Sequence, residues 1–390
     1  MDGFIRQGRD LRADLCRGFA LWAIFVNHVP GNWVGYVTPR NWSLSDATEA
    51  FVLLAGYAAG LAYGRLMDRQ GWPYAASRVI GRVFTLYVAH IFLLVVFTAQ
   101  VGYSAAALDS MAYLDELHLD PFADNAYRAL LEALLLRYQP SFLNILPLYI
   151  VLLAMFAAAL PLLRHAWVML VLSLALYVVA REWPLSLPAW GGGGWFFNPL
   201  AWQLLFFCGC AIGYRPPGGV PMSIPWRPWL GFLCGLLLAA GFAAVVLLYF
   251  RWDWAQATLP EAVAGFLATI DKTSLHPMRL ASILALTYLF AHAVPPDAAW
   301  LRAGWAKPMV VMGQQALPVF CAGIAFSFMG RLALEQSDRL AMQVAVNLAG
   351  AVALVAVGIL TAWYGAEKRA ENQRIVTKPA LSPTTLADTP

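Results

Sequence analysis

Two ionisable residues stand in one apolar run, Arg17-Gly-Phe-Ala-Leu-Trp-Ala-Ile-Phe-Val-Asn-His28. They are eleven positions apart, close to three turns of about 3.6 residues, so a helix presents both on nearly one face. At a rise of about 1.5 Å per residue they are roughly 16 Å apart along the axis, half of a hydrocarbon core about 30 Å thick. An arginine at the membrane edge has a plain explanation, snorkelling to the headgroups. A histidine nearer mid-membrane has two readings: a hydrogen bond to a neighbouring helix, or a place in a reaction or an ion pathway. The second is preferred, because ionisable groups inside a membrane usually mark one.

The next apolar segment opens with Ser45-Asp46-Ala-Thr-Glu49-Ala-Phe-Val-Leu-Leu-Ala-Gly56-Tyr57. Asp46 and Glu49 are three apart and share a helix face. They read as a capping box, with Asp46 as N-cap and Glu49 reaching back to it. They also read as carboxylates able to orient an imidazole and stabilise its protonated form. The short connection 31–44 brings the two segments side by side, so Glu49 is expected to meet His28. A third stretch, Arg78-Val-Ile-Gly-Arg82-Val-Phe-Thr-Leu-Tyr87, places two guanidiniums four apart on one face. They serve either as membrane anchors or as a phosphate clamp, a task that suits paired guanidinium geometry.

These residues need apolar helices to hold them, and the composition supplies them. Of 390 residues 61% are hydrophobic and 12% charged, far too little charge for a soluble chain of this length. The expected fold class is an all-α polytopic membrane protein with about ten transmembrane helices, over 14–30, 47–64, 79–103, 142–163, 166–181, 199–214, 228–250, 277–294, 308–329 and 341–364. With the N-terminus inside, seventeen of the 26 Lys and Arg residues fall on the cytoplasmic side and nine on the outer side. That bias, and the even helix count, predict both termini in the cytoplasm. Residues 1–13 form a cytoplasmic arm, 14–366 the membrane domain and 367–390 a cytoplasmic tail, disordered from about Glu371. The first apolar run lacks a small-residue cleavage site and is expected to stay as a helix. In the outer loop 104–140, residues 125–138 carry apolar positions at helical spacing and predict an interfacial helix.

The remaining candidates are weaker. All five cysteines lie in apolar segments, and Cys208-Gly-Cys210 has the wrong spacing for a CxxC motif, so no metal site is expected. The run Trp190-Gly-Gly-Gly-Gly-Trp195-Phe-Phe-Asn198-Pro lacks the Gly-Lys-Ser/Thr end of a phosphate loop. It reads as a flexible outer turn or as an aromatic platform for a sugar. His90 is expected to make a structural hydrogen bond within the third helix.

Taken in order, the three charged stretches resemble the acyltransferase-3 superfamily of membrane acyltransferases. The likeness is to its R-x10-H motif (Arg17, His28), its acidic segment followed by an FVLSGF-like run (46–57) and its basic helix-three motif. The wording of 14–18, 27–32, 146–149, 191–203 and 272–279 is similar to the OpgC branch, which succinylates osmoregulated periplasmic glucans. The resemblance spans about 9–364. In the fourth helix the superfamily's usual Trp and Glu motif gives way to Asn144-Ile-Leu-Pro-Leu-Tyr149, which leaves the acyl group open.

The resemblance implies an acyl-CoA-dependent O-acyltransferase (a succinyltransferase) of the bacterial inner membrane. Its donor would be cytosolic succinyl-CoA or another acyl-CoA, its acceptor a periplasmic glucan or similar polysaccharide. It implies His28 as general base, with Glu49 or Asp46 holding the ring, and an acyl-His intermediate as the alternative route. Arg17, Arg78 and Arg82 would bind the donor's phosphates. Asn198, Trp202 and Gln203 fall in the matching glycine-rich stretch and would meet the sugar. Lys272 and Arg279 would receive the free carboxylate of a dicarboxylic acyl group. No permanently bound cofactor or nucleic-acid partner is expected; membrane lipid is, and a homodimer stays open. Two other classes remain: a secondary transporter using the intramembrane His and carboxylate as a proton relay, and a non-enzymatic glucan-binding scaffold.

Overall fold

The computed structural model describes residues 9–183 and 185–377. Those residues are almost entirely helical, and among them the only β pairing is an isolated bridge between Pro188 and Gly194. The main helices, in chain order, are α1 Leu11–Asn27, α2 Ala47–Gln70, α3 Trp72–Ala107, α4 Ile145–Ala159 and α5 Ala166–Glu182. They are followed by α6 Pro199–Gly213, α7 Pro228–Val245, α8 Pro277–Ala293, α9 Lys307–Gln314, α10 Ala316–Gln336 and α11 Leu340–Thr377. The expected interfacial helix is present at Ala126–Leu134. Helix α11 continues to Thr377, past Glu371, where disorder of the tail is expected to begin. The rest of that tail, 378–390, and residues 1–8 of the N-terminal arm lie outside the described residues.

Among the described residues, six helical segments are long and apolar enough to cross a membrane: Ala47–Gln70, Trp72–Ala107, Ile145–Glu182, Pro228–Phe250, Ala316–Gln336 and Leu340–Lys368. Of the other expected spans, α1 and α8 have 17 residues each, about 25 Å at about 1.5 Å per residue, and α6 has 15.

Ile145–Glu182 is continuous in helical character but not straight. A tight turn over Leu160–His165 interrupts it, Pro161 stands in that turn, and His165 leaves helical geometry at φ −121°, ψ 58°. Helix α4 packs on α3, whereas α5 packs on α6. Arg164 in the turn pairs with Asp68 at the C-terminal end of α2. Arg181 near the end of α5 pairs with Asp271, next to the lysine that binds Asp46 at the other end of α2. The segment therefore doubles back, with its turn at the Asp68 end of the bundle.

The expected ninth helix is broken at Gln315, which takes φ −111°, ψ 40° and divides α9 from α10. Pro318 accounts for the break: it has no N–H for the carbonyl of Gln314, and its ring crowds that carbonyl.

Glycines spaced by four let α2 and α6 touch backbone to backbone. A Cβ on Gly56 or Gly60 of α2 would come within 2.0 and 2.1 Å of the Phe206 and Cys210 carbonyl oxygens of α6. Reciprocally, Gly209 and Gly213 of α6 face the carbonyls of Leu53 and Tyr57 at 2.2 and 2.1 Å. This is the small-xxx-small crossing typical of membrane helices, where close van der Waals packing substitutes for a hydrophobic driving force. Gly18 of α1 and Gly313 of α9 make the same kind of contact. Around these crossings Phe25, Phe97, Phe156, Trp202 and Phe206 form a fully buried aromatic core.

Candidate functional site

His28 terminates α1 as its C-cap, and its backbone N–H returns to the carbonyls of Ile24 and Phe25. Its ring is half-buried, and its Nδ1 is buried with no hydrogen-bond partner. The ring rests on that of Phe142, with centroids 4.3 Å apart and planes tilted by 50°. Phe142 has φ +72°, a backbone region that a bulky side chain seldom occupies. The charges of Lys272, Asp46 and Arg40 act on His28.

Glu49 does not hydrogen-bond to His28, which corrects the expectation that it holds the imidazole. The capping box forms instead. Asp46 accepts the Thr48 N–H at 2.7 Å, and Glu49 Oε2 accepts the Asp46 N–H at 2.9 Å. That turns the Glu49 carboxylate back along its own helix, where Arg279 of α8 meets it. Lys272 donates to Asp46 Oδ2 at 2.6 Å and to Thr48 Oγ1 at 3.0 Å. Arg279 also lies 3.5 Å from Asp46. Two carboxylates and two cations thus form one ion-paired group at the start of α2. Behind it Ser43, Ser45 and Ser282 form a buried triangle of hydroxyls 3.2–3.3 Å apart.

The glycine-rich stretch supports this group from below. Asn198 caps α6 through Leu200, donates to the Leu185 carbonyl at 2.6 Å, and its N–H reaches the Thr273 carbonyl at 3.0 Å. Trp202 is fully buried and donates its indole N–H to the carbonyls of Lys272 and Thr273 at 3.2 and 3.1 Å. Gln203 is also fully buried, and its amide is taken up by Ser173 of α5 and the Leu200 carbonyl. What Asn198, Trp202 and Gln203 touch is the loop that carries Lys272 and the interior of α5 and α6. Phe197 lies under Lys272, its ring centroid 5.8 Å from the ammonium.

At the other end of α1, Arg17 is buried and committed. It donates to Asp14 at 3.2 Å, to the Gly313 carbonyl at 3.4 Å and to the Leu54 carbonyl at 2.9 Å. Asp14 also accepts from Arg9 at 2.6 and 2.9 Å and from Gln314 at 3.0 Å. Arg17 therefore ties α1 to α2 and to the break between α9 and α10. Arg78 and Arg82 line a different surface, an open recess of about 570 Å³ between α2 and α3 that also exposes Tyr63, Ser77 and Thr85. Tyr149 of α4 is half-buried and lies within electrostatic reach of both Arg82 and Arg17.

His90 is fully buried with both ring nitrogens unpartnered, so the structural hydrogen bond expected for it does not form. Phe142, Asp14 and Gln314 join these clusters although no spacing in the sequence marked them.

Long apolar helices, close glycine crossings and buried charge grouped at two places define a helical membrane protein. Within that class the chain belongs to the OpgC family: the model of that family, described as OpgC protein, matches residues 9–366. No curated protein and no solved structure matches the chain.

Proposed function

We propose that the protein is an integral membrane O-acyltransferase of the bacterial inner membrane. It would move a succinyl or similar short acyl group from cytosolic acyl-CoA to a hydroxyl of a periplasmic glucan. Membership of the OpgC family supports transferase chemistry. The observation that carries the reading is that His28 stands at one end of α1, while the recess lined by Arg78 and Arg82 lies at the Asp68 half of α2. The arginine side of the recess suits a phosphate-rich donor. His28, with Nδ1 uncommitted, suits a general base to the sugar hydroxyl. In the orientation proposed here both termini and the Asp68 end of α2 face the cytoplasm, and the Asp46 end faces the periplasm.

Balanced, the step takes the proton of the sugar hydroxyl onto His28 as the oxygen attacks the thioester carbonyl. An ester forms, the carbon–sulfur bond breaks, and the proton leaves with the CoA thiol. The testing experiment is transfer from [14C]succinyl-CoA to a neutral glucan oligosaccharide by purified protein. His28→Ala is expected to lose about 100- to 10,000-fold of the rate, the usual share of positioned proton transfer, and to keep acyl-CoA binding. Near wild-type transfer by His28→Ala would defeat the reading. A stoichiometric burst of CoA without sugar, with acyl mass on His28, would move the mechanism to the acyl-His route.

One observation favours a secondary transporter, the helix break at Gln315 beside the buried Asp14. Absence of acyl-CoA binding, together with proton-coupled uptake into vesicles, would select it.

A further inference from the structure

The imidazole of His28 must be held in one orientation to act as a base, and carboxylates do not hold it. Glu49 is bound by Arg279 and Asp46 by Lys272, while His28 Nδ1 has no hydrogen-bond partner. The ring that packs on it is Phe142, 4.3 Å away between centroids. Phe142 is itself held in place. Ser141 donates its N–H to the Leu117 carbonyl at 3.1 Å, and its Oγ lies 2.8 Å from His118 Nδ1. Tyr138 donates to the His118 carbonyl, and Leu143 N–H to the Pro140 carbonyl at 3.1 Å. The segment carrying Leu117 and His118 is tied to α10 by the ion pair of Glu116 with Arg331. These restraints keep Phe142 at φ +72°, a conformation that persists only where its surroundings over-determine it.

We propose that Phe142 is the positioning residue for His28: the loop fixes its ring, and the ring fixes the plane of the imidazole where a carboxylate would otherwise do so. The inference rests on His28 acting as the base. Phe142 touches neither proton nor acyl carbon; it acts through His28. It also covers one side of the imidazole.

The test uses the full-length protein in lipid nanodiscs with succinyl-CoA and a neutral glucan oligosaccharide. Phe142→Ala is expected to lower kcat about ten- to 100-fold, since a misplacement of about 1 Å costs on the order of 100-fold. KM for both substrates should stay within about twofold. Phe142→Tyr keeps a ring there and should stay within about threefold of wild type. A second readout needs no turnover: carbethoxylation of His28 by diethylpyrocarbonate, located by mass spectrometry. It should run several-fold faster in Phe142→Ala and unchanged in Phe142→Tyr. Phe142→Leu gives the same comparison if the alanine variant fails to fold. Wild-type kcat with unchanged His28 modification would overturn the inference, as would a loss confined to KM. If instead His28→Ala keeps transfer, the base itself is lost, and the modification rate still reports whether Phe142 covers the ring.

Discussion

Arg279 donates through Nε to Glu49 Oε1 at 2.8 Å, while its Nη2 stands 2.6 Å from the same oxygen without a second aligned hydrogen bond. Both side chains are buried, and the pair joins α8 to the first turn of α2. Removing one member of a buried pair leaves the other charge uncompensated, a loss of about 3–5 kcal/mol. Replacing both is far milder. Glu49→Ala and Arg279→Leu should each lower the thermal midpoint markedly, and the double variant should recover much of the loss. Additive losses in detergent-solubilised melts would mean that the pair is not coupled.

This pair shows what the sequence made legible. Asp46 and Glu49, three apart before an apolar run, identify the capping box directly, because caps are local and their geometry follows from spacing. Arg279 lies 230 residues from Glu49, and no local pattern announces that meeting. The same holds for Asp14 with Gln314 and for His28 with Phe142. Helix existence was readable from hydropathy, and so was the division between the fourth and fifth helices, where Arg164 and His165 interrupt the apolar run. The break at Gln315 was not, because 308–329 reads as one apolar helix. Pro318 was an available signal for it, though membrane helices tolerate proline often enough to weaken the inference.

Arg78 and Arg82 are tested by donor binding. Both line the open recess, and Tyr149 lies within electrostatic reach of Arg82. Arg78→Gln with Arg82→Gln should weaken succinyl-CoA binding at least tenfold and leave glucan binding unchanged. Arg82→Lys should be poorly tolerated if the guanidinium holds phosphate with two nitrogens, and partly tolerated if it serves as a point charge. Isothermal titration with desulfo-CoA reads the affinity without turnover. An unchanged affinity in the folded double variant would leave these arginines as membrane anchors.

Gly56 tests the crossing of α2 and α6. A methyl group there would stand 2.0 Å from a backbone oxygen, which has no rotamer to move out of the way. Overpacking of this kind typically costs about 1–3 kcal/mol. Gly56→Ala should lower the melting midpoint, whereas Gly81→Ala, whose Cβ meets nothing within 4 Å, should not. Equal behaviour of the two variants would mean that the helices do not meet at Gly56.

The last prediction separates the two cations paired at the start of α2. A dicarboxylic acyl group needs a positive charge for its free end, and Arg279 is poorly placed to provide one. Its side chain is 8% exposed and already faces Glu49, whereas the Lys272 side chain is 28% exposed and rests on the loop held by Trp202. An ammonium on a flexible stem exchanges one carboxylate for another more readily than a buried guanidinium does. Lys272→Gln should therefore lower kcat/KM for succinyl-CoA about tenfold or more while changing acetyl-CoA by less than threefold. Arg279→Gln should depress both donors alike, because it unsettles Glu49 and the start of α2. The two donors are compared in one preparation, so a fold defect cancels from the ratio. An equal loss for both in Lys272→Gln would remove the carboxylate role and leave Lys272 as the partner of Asp46 alone.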